Sequence, residues 1–380
     1  MRALIWAQNL LGTGHAVRAG AIAQALSRTG AEVTLVTGSP LPASMRTEHI
    51  DIVTLPAARA ADTSFSAILD ERGERVDEAW WARRRDILLQ AARQAKPDIL
   101  LTEAFPLARR AFSAELLPLI AACRELCDRC FIAASIRDIL VRKPAAKEAA
   151  MADLALAHYD AILVHADPAL VRLEASFGAA ERLAPLIHYT GYIANGASAK
   201  AEPGLGENEV IVSAGGGAVG RKILAAALQA RAFSGEAGKL TWRILAGANL
   251  PQSDFARLAE AAPAGIIVER ARPDFPELLN RARLSVSQAG YNTVVDILAA
   301  GVPAVVVPFA EGSETEQTQR AALLTDKGLA VALTEAELSP SRLARAVDAA
   351  MALTPETASI RLGGAQETAR LLVQAAGGRP

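Results

Sequence analysis

The chain has 380 residues, of which 51% are hydrophobic and 21% charged, and its formal net charge at pH 7 is −1. This length favours two domains, and the apolar fraction suffices for two cores. The charge balance excludes a nucleic-acid binder held by bulk positive charge, although a local basic patch stays open. No apolar run reaches the roughly 18 residues that span a bilayer, and the first run stops at Gln8, too early for a signal peptide. We therefore expect a cytoplasmic protein, with contact to the inner face of the membrane left open.

Short aliphatic runs alternate with helical patterns along the whole chain. In chain order, the runs predicted as strands are Ala3–Ala7, Glu32–Thr37, Ile99–Thr102, Cys130–Ser135, Ala161–His165, Val210–Ser213, Thr241–Ala246, Gly265–Val268, Leu284–Ser287 and Ala304–Val307. Helical patterns lie between them, for example at Val17–Thr29, Arg84–Ala95 and Arg221–Ala232. Such runs are typical of strands buried on both faces, and repeated strand–helix units imply parallel sheets with right-handed crossovers.

The domain boundary is predicted from a change in composition. Residues 195–208, "NGASAKAEPGLGEN", are rich in glycine, proline and small polar residues, and apolar periodicity is lost there. We predict an N-terminal domain over 1–198, a linker over 199–208, a C-terminal domain over 209–365, and a helix over 366–380 that returns to the first domain. Because open parallel sheets bind ligands beyond the carboxyl ends of their strands, functional residues are expected directly after strands, in a cleft between the domains.

The three cysteines lie together in "CRELCDRC", a C-x3-C-x2-C spacing that some iron–sulfur enzymes use. A packing role is favoured, because six residues fall at helical spacing and predict one apolar face: Leu116, Ile120, Cys123, Cys127, Cys130 and Ala134. No D-x-D motif follows a strand. The spacing of His49, His158, His165 and His188 from other ligand types does not match a metal site, so no metal site is predicted.

Residues 57–85 fit the alternating pattern poorly, and they contain Trp80 and Trp81 followed by Arg83, Arg84 and Arg85. An amphipathic surface helix with a solvated basic end is the favoured interpretation. The alternative is a flap that binds an acceptor or a membrane, with the tryptophans in the interface and the arginines on anionic headgroups.

Two glycine-rich loops follow strands and precede helices. The first, "LLGTGHAVRAG", lacks the third glycine of a dinucleotide fingerprint, because position 17 is valine, and it places His15 in the turn. The second has the full G-x-G-x-x-G pattern at Gly215, Gly217 and Gly220, but no acidic residue follows at the distance that a ribose requires. The second loop therefore predicts phosphate binding by backbone and helix N-terminus, without NAD.

The most informative block is "LSVSQAGYNTVVDILAAGVPAVVVPFAEGSETEQTQRAALL". A strand ends at Ser287, a turn follows over 288–290, and a helix is predicted to start near Asn292 or Thr293, which are natural N-caps. Asp296, one turn inside this helix, is placed to reach a ribose. A second strand ends at Pro308 and is followed by a polar loop with Glu316 and Gln317.

This block resembles the donor site of GT-B glycosyltransferases, and it is most similar to family 28, which includes the lipid-linked N-acetylglucosaminyltransferase of cell-wall synthesis. The shared features are the small-residue turn, the acidic residue on the next helix, G-x-P, the strand ending in Pro-Phe and the loop with glutamine. "LLGTGHAVRAGAIAQAL", "DILLTEAFPLARRAFSAELLPLI" and "ASIRDIL" resemble a bacterial branch of that superfamily. One departure is Asp296, where the cell-wall enzyme has a glutamate.

The resemblance implies two Rossmann-like, doubly wound α/β domains facing across a cleft, and transfer of a sugar from a nucleotide sugar, UDP-linked, without metal or cofactor and with inversion. The acceptor is left open between a lipid-linked molecule and a glycan. Nucleotide-sugar hydrolases, epimerases and a non-catalytic nucleotide-sugar sensor remain alternatives on the same fold.

The resemblance also assigns site residues. His15 is the first candidate for the base that takes the acceptor's proton, and Glu103 and Asp138, which follow strands in the same domain, are rivals. A local ion pair or a helix N-cap is the alternative role for both carboxylates. The residues expected to bind the donor are Gly14, Ser213, Gly215, Gly216, Gly217, Arg270, Gln288, Gly290, Asn292, Thr293, Asp296, Glu316 and Gln317.

Overall fold

A computed structural model describes residues 1–10, 12–42, 45–61, 67–194, 201–214, 220–247, 249–310 and 315–377. The chain divides into two compact units. The N-terminal unit comprises Met1–Ile193 and Arg361–Pro380, and the C-terminal unit comprises Ala194–Ile360. The chain thus leaves the first unit a few residues before the predicted boundary at 198, and it returns a few residues before the predicted one at 365.

The N-terminal unit is built on a seven-stranded, wholly parallel sheet of order β3-β2-β1-β6-β7-β8-β9. The strands of this sheet are β1 (Arg2–Ala7), β2 (Glu32–Thr37), β3 (Ile50–Thr54), β6 (Ile99–Glu103), β7 (Phe131–Arg137), β8 (Ala161–His165) and β9 (Ile187–Tyr189). A small antiparallel pair outside the sheet is formed by β4 (Arg59–Ala60) and β5 (Ile68–Leu69). Its helices are α1 (Gly14–Ser27), α2 (Glu78–Ala95), α3 (Ser113–Leu126), α4 (Ala145–His158) and α11 (Gly364–Gly377), with short 3-10 turns at Arg110–Phe112, Leu173–Ala175 and Ala180–Leu186.

The core of this unit follows from the aliphatic strands. Every residue of β6 and β8 is buried, as expected for central strands covered on both faces. Helix α11 belongs to this unit, because Ala365, Ala369 and Leu372 share a buried cluster with Ala19 and Ile22 of α1. The close approach of small side chains on α1 and α11 therefore anchors the C-terminal end of the chain on the first sheet.

The C-terminal unit is built on a six-stranded parallel sheet of order β12-β11-β10-β13-β14-β15. Its strands are β10 (Glu209–Ser213), β11 (Thr241–Ala246), β12 (Ile266–Arg270), β13 (Leu284–Ser287), β14 (Ala304–Val306) and β15 (Val331–Ala332). Its helices are α5 (Arg221–Ala230), α6 (Gln252–Glu260), α7 (Phe275–Arg281), α8 (Tyr291–Ala300), α9 (Glu316–Asp326) and α10 (Pro340–Met351), with a 3-10 turn at Arg231–Phe233. The prediction of two Rossmann-like parallel sheets is confirmed.

Helix α2 corrects the expectation of a solvated basic end. Trp80 and Arg84 are buried, and the Arg84 guanidinium donates to both Glu115 carboxylate oxygens, from Nε at 2.7 Å and from Nη2 at 2.8 Å. Trp6 Nε1 donates to the same carboxylate at 3.0 Å. The flap alternative is wrong for Trp80 and Arg84, since both side chains belong to the packing between α2, α3 and β1.

The cysteine face is only partly helical. Helix α3 ends at Leu126, and Cys130 lies directly before β7. Cys123 and Cys130 are buried and Cys127 is half-buried, all as free thiols.

Among the described residues, no helix combines the length and the apolar character that crossing a membrane demands.

Candidate functional site

The structure brings His15 and Glu103 together at the carboxyl edge of the N-terminal sheet. Strand β1 leads into the first glycine loop, where Gly12 has φ 67°, a left-handed conformation that favours glycine. Helix α1 begins at Gly14, so His15 lies in its first turn rather than in the preceding turn. Strand β6 pairs with β1 in parallel and ends at Glu103. The Nδ1 atom of His15 lies 3.0 Å from Oε1 of Glu103.

The Glu103 carboxylate is buried and has several donors. Only 1% of its side chain is exposed. Arg18, one turn beyond His15 on α1, approaches it with Nη2 at Oε1 and with Nε 3.4 Å from Oε2, and the hydroxyl of Ser135 donates to Oε2. Burial alone would raise the pKa of Glu103, but the Arg18 charge and the hydrogen bonds from His15 and Arg18 hold it well below its usual range. Glu103 is therefore an ionised, fully engaged carboxylate.

The ionised carboxylate determines the tautomer of His15. Glu103 can only accept hydrogen bonds, so the proton of the neutral imidazole lies on Nδ1 and points at Oε1. The other ring nitrogen, Nε2, then carries a lone pair. A carboxylate behind Nδ1 and a free lone pair on Nε2 are the arrangement in which histidine accepts a proton from a substrate.

The pKa of His15 lies well below that of an ordinary histidine. A base near neutrality would use the unperturbed value of about 6.5, whereas burial, the positive charge of Arg109 and that of Arg18 lower the pKa of His15 to about 3, against the opposing effect of Glu103. The side chain is 16% exposed, so the ring edge still reaches the surface. His15 is thus neutral across the physiological range.

Asp138, the third candidate base, is buried just beyond β7, and its Oδ1 accepts a hydrogen bond from the backbone N–H of Ile139 at 2.8 Å. The same sheet edge also carries Arg109, whose Nε donates to the carbonyl of Gln8 at 3.2 Å. Burial and the charge of Arg137 lower the pKa of Arg109 to about 10. The edge therefore combines two buried carboxylates, those of Glu103 and Asp138, with the guanidinium groups of Arg18 and Arg109.

Sequence reasoning missed Arg18 and Ser135 as members of this cluster. Arg18 is three residues after His15 on one helix, a spacing that places both side chains on the same face. Ser135 pairs in register with Glu103 on the neighbouring strand. The helical spacing was a usable signal, whereas the strand register was not readable from the sequence.

In the C-terminal unit, the predicted donor turn lies after β13. Helix α8 begins at Tyr291 with Gly290 as its N-cap, so Asn292 and Thr293 lie in the first turn and are not the caps that the sequence predicted. Among the described residues, a Cβ on Gly290 would meet no atom within 4 Å, so there is room beside this glycine. Gln288 is 7% exposed, and its Nε2 has no hydrogen-bond partner in the described part of the chain. Asp296 is buried on α8.

The polar residues after β14 are tied to this turn. Gln317 accepts a hydrogen bond from the backbone N–H of Phe309 at 3.1 Å. Glu316 is buried and lies 3.7 Å from Nη1 of Arg320, which donates to the carbonyl of Ala289 at 2.7 Å. Arg320 thus links the start of α9 to the turn before α8.

Ser213 pairs in register with Ser287, the last residue of β13, whereas Arg270 lies on the outer strand β12. Ser213 is buried at the end of β10, and Gly215, Gly216 and Gly217 fall outside the described residues. Arg270 ends β12, and its guanidinium donates to the carbonyl of Leu250 at 2.8 Å and lies over the ring of Phe255 at 4.2 Å. No group of three or more histidine, cysteine, aspartate or glutamate side chains could hold a metal ion in the described ranges.

Comparison with known proteins places the C-terminal half in a family. Residues 211–370 match the glycosyltransferase family 28 C-terminal domain. The UDP-N-acetylglucosamine--N-acetylmuramyl-(pentapeptide) pyrophosphoryl-undecaprenol N-acetylglucosamine transferase of Listeria welshimeri is 34% identical over 106 residues, which cover 27% of this chain and 29% of that protein. The match thus spans less than a third of the relative's length.

Solved structures extend the likeness to both units. MurG of Acinetobacter baumannii aligns with a TM-score of 0.61 and 17% identity, over 98% of this chain and 100% of that one. The glycosyltransferase VinC in complex with dTDP aligns with a TM-score of 0.63 and 14% identity, over 100% and 96%. At these identities the likeness shows the fold. The chain thus has the GT-B fold, and its residues 211–370 match the family 28 C-terminal domain.

Proposed function

We propose that this protein is a glycosyltransferase that moves a sugar from a nucleotide sugar, UDP-linked, to an acceptor hydroxyl group. The observation that carries the proposal is the contact between His15 Nδ1 and the Glu103 carboxylate, 3.0 Å long, in a chain with a family 28 C-terminal domain. The choice of UDP follows the Listeria relative, whose name gives UDP-N-acetylglucosamine as its donor.

His15 is proposed as the base. Its Nε2 accepts the acceptor's hydroxyl proton as the acceptor oxygen bonds to the anomeric carbon and the bond from that carbon to the diphosphate breaks. Glu103 keeps the ring in the Nδ1–H tautomer and stabilises the imidazolium that forms. Because its pKa is lowered to about 3, the His15 ring is neutral before the acceptor binds, and proton transfer depends on Glu103 to stabilise the imidazolium. A single displacement of this kind inverts the anomeric centre.

The donor is proposed to bind in the C-terminal unit. The backbone N–H groups at the start of α8, beside Gly290, suit a diphosphate, because a helix N-terminus combines donors with positive potential. The unpartnered Nε2 of the buried Gln288 is a further donor at this turn. Asp296 is proposed for the ribose hydroxyls, and Glu316 and Gln317 for the sugar, with no metal required.

The class of acceptor is proposed from similarity to a relative. A lipid-linked or glycan acceptor is proposed from the Listeria relative, whose name describes an undecaprenol-linked substrate. Such an acceptor would be met at the inner face of the cell membrane, so a cytoplasmic location with peripheral membrane contact is part of the same proposal.

The test is incubation of the purified protein with UDP-, dTDP- and GDP-sugars, first alone and then with lipid-linked and glycan acceptors. Nucleoside diphosphate release that depends on an acceptor supports transfer. Free sugar released without acceptor indicates a hydrolase, a 2-epimer indicates an epimerase, and binding without turnover indicates a sensor. His15→Gln should lose about 10²–10⁴-fold in turnover, whereas His188→Gln, at an exposed position on β9, should not. Full turnover in His15→Gln would remove His15 as the base.

A further inference from the structure

The polar contacts of Glu103 continue across the sheet. Ser135 on β7 lies beside Glu103, with its hydroxyl at Oε2. The same hydroxyl oxygen is 2.8 Å from Nε2 of His165, the last residue of β8, and Nδ1 of His165 is 2.8 Å from the hydroxyl of Thr190, directly after β9. Ser135 and His165 have no exposed surface, and Thr190 is 3% exposed. Four consecutive strands thus contribute one buried chain of hydrogen bonds that ends on Glu103.

The direction of every bond in this chain follows from the charge on Glu103. An ionised carboxylate only accepts, so the single Ser135 proton is donated to Oε2. The Ser135 oxygen must then accept the next bond, which requires the proton of neutral His165 to lie on Nε2. His165 Nδ1 in turn accepts from the Thr190 hydroxyl. His165 is neutral because burial, followed by the charge of Arg18, lowers its pKa to about 3.

The chain of hydrogen bonds matters because Arg18 competes with His15 for the Glu103 carboxylate. The Arg18 guanidinium contacts both carboxylate oxygens and also lies 3.3 Å from Nδ1 of His15. Arg18 and His15 therefore share Oε1, and a rotation of the carboxylate toward Arg18 would lengthen its contact with His15. The bond from Ser135 holds Oε2 against such a rotation, and burial of the His165 ring without this hydrogen-bond partner would be unfavourable.

We propose that Ser135, His165 and Thr190 are positioning residues: they hold Glu103 so that His15 keeps its proton on Nδ1 and its lone pair on Nε2. None of them touches the substrate in this scheme. The effect on turnover rests on the proposed function, whereas the tautomer of His15 is a property of the folded protein without substrate.

The test combines kinetics with nitrogen-15 NMR of the histidine rings in the full chain. The ring signals are assigned by their loss in His15→Gln and His165→Gln. The wild type should show a single His15 tautomer, protonated on Nδ1, and Ser135→Ala should show both tautomers. Turnover in Ser135→Ala should fall about tenfold or more, the loss expected from one hydrogen bond to a charged group, with KM little changed. The amide of His165→Gln can still donate to Ser135, so this variant should retain more turnover than His165→Leu.

Ser285→Ala is the matched control, a fully buried serine on a strand of the C-terminal unit whose hydroxyl has no partner among the described residues. It should leave kcat and the His15 signals unchanged. If Ser135→Ala does not fold, Thr190→Val removes only the far hydroxyl and should mix the His165 tautomers and lower kcat in the same direction. The inference would be overturned if every variant of Ser135, His165 and Thr190 kept the wild-type tautomer of His15 and a kcat equal to that of the control. Full turnover in His15→Gln would instead refute the proposed role of His15 as the base. The NMR result would then decide by itself whether Ser135, His165 and Thr190 position Glu103.

Discussion

Replacing Glu103 by glutamine is the sharpest single test of the site. The change keeps the size of the side chain and removes its charge. In the native protein, donors from His15, Arg18 and Ser135 converge on the two carboxylate oxygens. Glutamine offers one carbonyl oxygen and one amide group, and the amide group is itself a donor. Either Ser135 or the His15–Arg18 pair must therefore lose its acceptor, and the Arg18 guanidinium loses the Glu103 carboxylate.

The expected losses follow from burial. The side chains of Arg18 and Glu103 are 3% and 1% exposed, so solvent does not screen the pair. Removing one partner of a buried ion pair costs about 3–5 kcal/mol of folding free energy. Turnover should fall by about 10²–10⁴-fold, because an amide behind the ring no longer selects the Nδ1–H tautomer, an effect of about 10⁴ on kcat in serine proteases.

The assay separates these two effects with a matched control. Glu115 forms another buried ion pair of this unit, with Arg84, and both side chains have no exposed surface. Glu115→Gln should lose comparable stability in urea denaturation and keep its turnover under conditions where the variant is folded. If Glu103→Gln loses stability like Glu115→Gln but keeps wild-type kcat, Glu103 is a structural residue and the assignment of its role is refuted.

Two further predictions concern pH and the donor. Because the pKa of His15 in the folded protein is about 3, its active neutral form is lost only as pH falls toward that value, so kcat/KM should be flat from pH 7 to 5; an acidic limb near pH 6.5 that disappears in His15→Gln would contradict this. Asp296→Ala should weaken UDP binding by about 1–3 kcal/mol in calorimetry, the cost of a lost hydrogen bond to a charged group, whereas the control Asp326→Ala, at the exposed end of α9, should not; an unchanged Kd in Asp296→Ala would remove the ribose role.

The sequence predicted the central strands well because their burial is local information. Runs such as Ala161–His165 are aliphatic throughout, and the structure places that strand at the predicted bounds. The missed strands had no such signal. Strand β3 is largely exposed at the sheet edge, while β9 and β15 are three and two residues long and are defined by their parallel neighbours. Strands of this kind depend on pairing that the sequence does not display.

Charge was harder to predict than hydrophobicity. The basic end of α2 resembled a solvated face, yet Arg84 is buried because Glu115, 31 residues further along the chain, provides its carboxylate. The pKa of His15 is a similar case. Its unperturbed value suited a base at neutral pH, but the burial and the Arg109 charge that lower it come from the folded sheet edge. Partners distant in sequence decide the state of both side chains.

The cluster around Glu103 shows how far strand-end reasoning reaches. The carboxyl ends of parallel strands lie at the same edge of a sheet. This rule alone would bring Glu103 and His165, the last residues of β6 and β8, to that edge. It would not select Ser135, which lies two residues before the end of β7 and on the same face as Arg137. Register makes the choice, because β6 and β7 pair Glu103 with Ser135. A hydroxyl rather than a second guanidinium therefore meets the carboxylate, and the hydrogen-bonded chain to His165 becomes possible.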